Sequence, residues 1–187
     1  MKMKMKMKMN TKFAKKYGVK ILPFKKLPAP ARYAIIHYMA IDGEAWDVSD
    51  QLAESFAKGH KMIAKSKGSY DKVRKLHKEA VIKSLKFYTE KYGDRKFGYG
   101  LIPTKAFVKE IWDRDDGVKD WKMDGMTFKE YQEWYFKEGA SMPNHPKTNR
   151  WSCILSSFDF EVLEDGWHRF HSYVMRGDKT IPCVHYA

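Results

Sequence analysis

The order of strand and helix patterns near the C-terminus constrains the fold of this chain more than any other feature. Between Trp151 and Tyr186 the sequence reads WSCILSSFDFEVLEDGWHRFHSYVMRGDKTIPCVHY. Its first and last parts are strand-like, whereas apolar residues recur at helical spacing after Gly166. The predicted elements are, in order, a strand Trp151–Leu155, a strand Phe158–Leu163, a tight turn at Asp165-Gly166, a helix from Trp167 that ends at Gly177, and a strand Ile181–Tyr186.

The five residues from Asp165 to Arg169 fall on the first turn of this helix. Backbone N–H groups there have no intrahelical acceptor, and the helix dipole adds positive charge, so such a turn accepts anions. Gly166 lets a phosphate approach the backbone closely, and Arg169 adds a cation with two parallel donors. His168 can donate to a phosphate oxygen or carry a proton. We therefore predict a phosphate-binding site formed by Asp165, Gly166, Trp167, His168 and Arg169.

The run DGWHRFHSYVMRGDKTIPCVHY resembles the ParB/sulfiredoxin superfamily, in which a D-G-x-H-R helix precedes a short strand that contains Ile-Pro. The opening VKILPFKKLP is similar to the first strand of that fold. The resemblance implies an α+β fold with a small mixed sheet, and a turn that holds nucleotide phosphates, as in ParB-like nucleotidases and free-serine kinases. Sulfiredoxins carry their catalytic cysteine where this chain has Trp167, so their chemistry is not expected. His168-Arg169 replaces the double arginine of chromosomal ParB, so a preference for CTP is not implied.

The same resemblance suggests catalytic residues and cofactors. Kinases of the family use an N-terminal glutamate, for which Glu44 is the candidate here, and His168 is the second candidate catalytic residue. The implied cofactors are Mg²⁺ and a nucleoside triphosphate, and the implied chemistry is hydrolysis or transfer of phosphate. The segment Asp42-Gly43-Glu44 also fits a simple turn.

A purely structural interpretation of the C-terminal turn remains open. Asp165 could cap the helix, His168 could be hydrogen-bonded in the core, and Arg169 could pair with an acid. In that case the turn would stabilise the fold without binding a ligand.

Two groups of side chains raise the question of a metal. His168 and His171 form an H-x-x-H pair on one helix face, but no third ligand stands at a clear spacing. Asp113, Asp115 and Asp116 are clustered, but their glycine comes too early for an EF-hand and no distal glutamate fits. We therefore expect no metal site and interpret the acidic segment as a solvated loop.

The rest of the chain is predicted to be mostly helical. A basic low-complexity tail, residues 1–16, is expected to be disordered, and residues 17–187 to form one domain with a helical insertion at about 31–140. Thr127 and Glu130 have the spacing of a capping box. The expected helices are Ala31–Ile41, Asp47–Lys58 with Gly59 as its stop, Ser69–Tyr92, a short helix through Phe107 and Ile111, and Thr127–Lys137, with a loop at Trp112–Gly125.

Charge favours an anionic partner. Lys and Arg number 36 against 23 Asp and Glu, a formal net charge of +13, which concentrates anions near the protein. The predicted partner is a nucleotide or nucleic acid. The alternative function is a non-catalytic DNA-binding or host-interaction protein of a phage or plasmid. A metal-dependent DNase is a third alternative, which the lack of an obvious acidic metal cluster disfavours.

The two cysteines, Cys153 and Cys183, lie in apolar strand-like runs and are predicted to be buried and reduced. No apolar stretch is long enough for a membrane span, and no signal-peptide core is present. We therefore expect a cytoplasmic protein that does not contact a membrane.

Overall fold

The computed structural model describes residues 15–42, 45–66, 70–114, 125–137, 147–155 and 163–186. The chain divides into two compact units. One consists of the chain up to Leu22 together with the chain from Lys96 onward, and the other is Pro23–Arg95.

In the described ranges the strands are β1 (Lys20–Pro23), β2 (Lys96–Pro103), β3 (Cys153–Leu155), β4 (Leu163–Asp165) and β5 (Thr180–Tyr186). The helices are α1 (Ala29–His37), α2 (Asp50–Ser66), α3 (Tyr70–Tyr92), α4 (Thr104–Arg114), α5 (Phe128–Lys137) and α6 (Trp167–Met175). A 3₁₀ turn, Phe24–Lys26, precedes α1, and a π-helical turn, Tyr38–Asp42, follows it.

The five strands form one mixed sheet in the order β1-β2-β5-β3-β4. β2 and β5 are antiparallel, β5 and β3 are parallel, and β3 and β4 are antiparallel. This sheet and its helices confirm the predicted α+β class and the small mixed sheet.

The strand β2 was not predicted, and it lies inside the interval 31–140 that we expected to be helical. Its sequence, KFGYGLIP, has glycines at alternate positions, which weakens the local strand signal. Gly98 pairs with His185 of β5, and a Cβ at Gly98 would overlap the His185 imidazole. The glycine thus makes room for a buried ring, and long-range pairing with β5 forms the strand.

The core of the first unit lies on one face of this sheet. Side chains of β2, β3, β4 and β5 pack there with α4 and α6, and the cluster consists of Ile102, Phe107, Ile111, Cys153, Leu155, Leu163, Phe170, Tyr173, Ile181 and Cys183. Phe107 of α4 meets Phe170 of α6 edge to face, with ring centroids 5.3 Å apart. This packing fixes α6 against the sheet at the end of β4.

The second unit is helical and is built around an aromatic stack. Trp46 stacks on Tyr92 with ring centroids 4.3 Å apart, and it also stacks on Tyr88 of the same helix, α3. The Tyr88 hydroxyl donates to the carbonyl of Asp47 and accepts from the amide of Ser49, which anchors the segment before α2.

Several predicted helix ends need correction. α3 was predicted almost to the residue, but α2 begins at Asp50 and continues through Gly59 to Ser66, so Gly59 is not its stop. A Cβ at Gly59 would lie 3.1 Å from side-chain atoms of Val73 and His77, so this glycine allows close packing of α2 on α3. α4 continues to Arg114, inside the expected loop, because its apolar face packs into the core.

Two predicted segments fall largely outside the described residues. These are the basic tail, and the predicted strand Phe158–Leu163, of which only Leu163 is described, at the start of β4.

Candidate functional site

The predicted phosphate-binding turn lies where β4 ends and α6 begins. Asp165 is the last residue of β4, and Gly166 is the N-cap of α6 with φ 98° and ψ 23°, a left-handed conformation that favours glycine. Because glycine has no side chain, the N-cap residue itself makes no side-chain cap bond. The first intrahelical bond runs from the amide of Phe170 to the carbonyl of Gly166, at 2.7 Å. The amides of the preceding turn, residues 167–169, therefore point beyond the helix end.

Arg169 turns back towards this helix end and pairs with Asp165. Its Nη2 lies 2.6 Å from Oδ2 of Asp165, and the Arg169 side chain is only 9% exposed. The structural interpretation left open above is thus correct for Arg169, whereas the N-cap is Gly166 and not Asp165.

The guanidinium of Arg169 also lies against the Cα of Gly166. A Cβ at that position would be 2.9 Å from both Nε and Nη2, so any other residue would displace the arginine. Nε has no hydrogen-bond partner among the described residues. A buried donor of this kind, next to the first turn of a helix, is an arrangement that a bound acceptor would complete.

Trp167 and His168 are half-buried on the first turn of α6. The His168 ring lies 5.8 Å, between ring centroids, from Tyr135 of α5. α5 therefore borders the candidate phosphate-binding turn, a contact between residues distant in sequence that the local pattern did not predict.

His171, one turn further along α6, is fully buried among aromatic rings. Its Nδ1 is 3.0 Å from Nε2 of Gln132, and Tyr135 stacks on it with ring centroids 4.7 Å apart. Burial, with a smaller effect of His168, lowers the pKa of His171 to about 4. The imidazole is neutral at pH 7, with one nitrogen engaged by Gln132.

The H-x-x-H pair finds no third ligand in the described part of the chain. No group of three His, Cys, Asp or Glu side chains there could hold a metal ion. Asp113 is partly exposed and pairs with Lys109 one turn earlier on α4, while Asp115 and Asp116 lie outside the described residues. Glu44, the candidate general base, is also outside them.

Both cysteines are buried and free, as predicted. They face each other in the register of β3 and β5, and Sγ of Cys153 is 3.8 Å from the carbonyl oxygen of Gly166. Burial raises the pKa of Cys153 to about 12, so the thiol is protonated at neutral pH. The Cys153 thiol donates to the Gly166 carbonyl oxygen and so supports the turn.

None of the described helices combines the length and the apolar character needed to cross a membrane. No protein-family model, curated protein or solved structure matches this chain.

Proposed function

We propose that the N-terminal turn of α6 binds the phosphate of a nucleotide or of a nucleic acid. The observation that carries this proposal is the glycine N-cap: α6 begins at a left-handed glycine whose Cα lies against the Arg169 guanidinium, next to the amides of the first turn. An anion at this position would accept from the first-turn amides and would gain from the helix dipole.

Arg169 supports the proposal in a different way from the one its sequence position suggested. Because Asp165 already holds the guanidinium, the pair contributes little net charge, and most of the attraction for phosphate comes from the amides and the dipole. Nε of Arg169, which has no partner among the described residues, then offers one further donor beside Gly166. Asp165 and Arg169 thus act chiefly as positioning residues for the turn.

Hydrolysis or transfer of the bound phosphate is the second part of the proposal. His168 is half-buried on the same turn and can exchange a proton with a phosphate oxygen. Any Mg²⁺ would arrive coordinated to the nucleotide phosphates, since the described residues form no acidic cluster for it. Glu44 stays a prediction from the sequence.

The direct test compares Gly166→Ala with Gly177→Ala. Both glycines have positive φ, so both variants carry backbone strain, but only Gly166 lies at the N-terminus of α6, and Gly177 has open space around its Cα. We expect the wild type and Gly177→Ala to bind inorganic tripolyphosphate and ATP in calorimetric titrations. We expect Gly166→Ala to bind both at least tenfold more weakly at a temperature where circular dichroism shows it folded.

Two outcomes would overturn phosphate binding at this turn. One is the absence of measurable binding to the wild type, and the other is equal affinity in wild type and Gly166→Ala. A phosphate-release assay with His168→Gln, run only if ATP binds, then tests turnover separately from binding.

A second candidate function, non-catalytic binding of nucleic acid, is favoured by the surface of α3. This helix exposes a row of basic residues: Lys72, Arg74, Lys75, Lys78, Lys83 and Lys86. Phosphate contacts by such residues release counterions, so affinity would fall steeply with salt. Replacing Lys75, Lys83 and Lys86 with Gln should then flatten the salt dependence of duplex DNA binding, and Gly166→Ala should leave it unchanged.

A further inference from the structure

Three aromatic side chains border the candidate phosphate-binding turn without being buried. They are Tyr135 of α5 and Trp167 and His168 of α6, all only partly buried, and we call them the aromatic rim. Tyr135 lies 5.8 Å from His168 between ring centroids, and Tyr135 and Trp167 lie 4.7 Å and 6.0 Å from the same buried ring, His171. Two rim residues thus lie on the first turn of α6, and the third, Tyr135 of α5, lies beside His168.

The rim differs from the aromatic core on which it rests. Phe107 and Phe170, beneath the same turn, are 0% exposed, and Tyr131 of α5 is 5% exposed. The burial of those rings explains their presence, whereas each rim residue keeps part of its surface in water. His171 holds the rim in place, because it stacks on Tyr135 and its Nδ1 is engaged by Gln132.

We propose that the aromatic rim stacks the base of a mononucleotide whose phosphate is bound by the first turn of α6. This inference rests on the proposed function and adds two things to it: the ligand is a mononucleotide rather than a nucleic acid, and its base contacts the aromatic rim. In a mononucleotide one ribose separates the base from the 5′-phosphate. The distance that this ribose spans is comparable to the pitch of one helical turn, about 5.4 Å. A base can therefore reach the rim while its phosphate contacts the amides of residues 167–169.

Recognition at the rim is expected to tolerate different bases. Stacking uses the π face that every base has, and it is strongest for the larger purines. The Arg169 Nε–H, which has no hydrogen-bond partner among the described residues, lies at Gly166 and so serves the phosphate end of the ligand.

The test compares ATP with inorganic tripolyphosphate in calorimetric titrations of the wild-type chain. Tripolyphosphate carries at least as much negative charge, so tighter binding of ATP measures the contribution of the nucleoside. We expect ATP to bind about tenfold more tightly, the range that base–aromatic stacking supplies. If tripolyphosphate and ATP both bind with equal affinity, the stacking inference fails and the proposed function stands. If neither binds, both fail.

Variants of Tyr135 test whether the preference for ATP over tripolyphosphate comes from the aromatic rim. Tyr135→Leu should lose the preference for ATP and keep its affinity for tripolyphosphate, whereas Tyr135→Phe should behave as wild type. The matched control is Trp134→Leu on the same helix, because Trp134 is half-exposed and its ring lies 6.3 Å from that of Tyr131. Loss of the preference in this control as well, or its retention in Tyr135→Leu, would overturn the assignment to the rim. A short oligothymidylate that binds tenfold more tightly than ATP would overturn the mononucleotide as ligand.

Discussion

The Arg169 guanidinium pairs with Asp165, four residues earlier in the chain, with 2.6 Å between Nη2 and Oδ2. The arginine side chain is almost fully buried. We expect Arg169→Ala to lower the free energy of unfolding by about 3 kcal/mol, because removing one partner leaves a partly buried carboxylate without its counterion. Urea denaturation at pH 7 measures this change.

A double variant separates the effect of losing the ion pair on stability from the effect of losing the arginine side chain. Asp165→Asn combined with Arg169→Met should be less destabilised than the sum of the two single variants, because no uncompensated charge remains. Lys86→Ala breaks an exposed pair with Glu90 at 3.9 Å and should change stability little. If the stability changes of Asp165→Asn and Arg169→Met simply add in the double variant, the two side chains are not energetically coupled.

Gly98 is required because the imidazole of His185 occupies the space next to its Cα. Gly98→Ala should destabilise the protein by about 1–3 kcal/mol, the usual cost of overfilling a packed core. Gly100→Ala on the same strand should cost less, because its Cβ would lie 3.0 Å from the nearest atom, a methyl group of Val19. Thermal denaturation of the two variants gives the comparison.

A second background tests whether contact with His185 causes the cost of Gly98→Ala. In a His185→Ala background the added methyl group has room, so the cost of Gly98→Ala should shrink or vanish. An unchanged cost would show that contact with His185 is not its cause.

Two buried histidines make stability depend on pH. Burial, aided at His171 by nearby His168, lowers the pKa of His171 and of His185 from 6.5 to about 4. Between these values the unfolded chain binds more protons than the folded one, so stability is complete above about pH 6.5 and falls as the pH drops towards 4. Each histidine contributes about 3 kcal/mol to this loss.

Urea denaturation at pH 7, 6, 5 and 4 checks this dependence. In His171→Phe the free energy of unfolding should depend on pH about half as steeply as in the wild type, because the phenyl ring suits the aromatic surroundings and does not titrate. The Asp178 carboxyl, whose pKa Arg176 and Arg150 hold below 3.8, affects stability only at lower pH. If the free energy of unfolding of His171→Phe depends on pH as steeply as that of the wild type, His171 does not contribute to the pH dependence.

Thr127 begins α5 with the predicted capping box. The Glu130 amide donates to the Thr127 hydroxyl at 3.3 Å, and Glu130 Oε2 accepts from the Thr127 amide at 2.7 Å. Thr127→Ala should cost about 1 kcal/mol of stability, and Thr127→Ser should cost little. Since the Thr127 bonds lower the pKa of Glu130, the alanine variant should also raise that pKa in an NMR titration.

Local signals predicted the elements that have local causes. The apolar spacing of α3 and the capping box of α5 depend on residues within a few positions of one another, so both were predicted closely. The strand β2 was missed because its glycines are explained only by His185, far along the chain. The prediction that Gly59 ends α2 is wrong for a similar reason, because the side chains that require a glycine there, Val73 and His77, belong to the next helix.

The sequence by itself determined where α6 begins. A glycine followed by residues of helical spacing defines an N-terminus through backbone geometry alone. Tertiary structure decided what surrounds that end: burial fixed Arg169 on Asp165, and the packing of α5 placed Tyr135 beside His168. Those contacts depend on which surfaces leave water together, and a local pattern of residues does not contain that information.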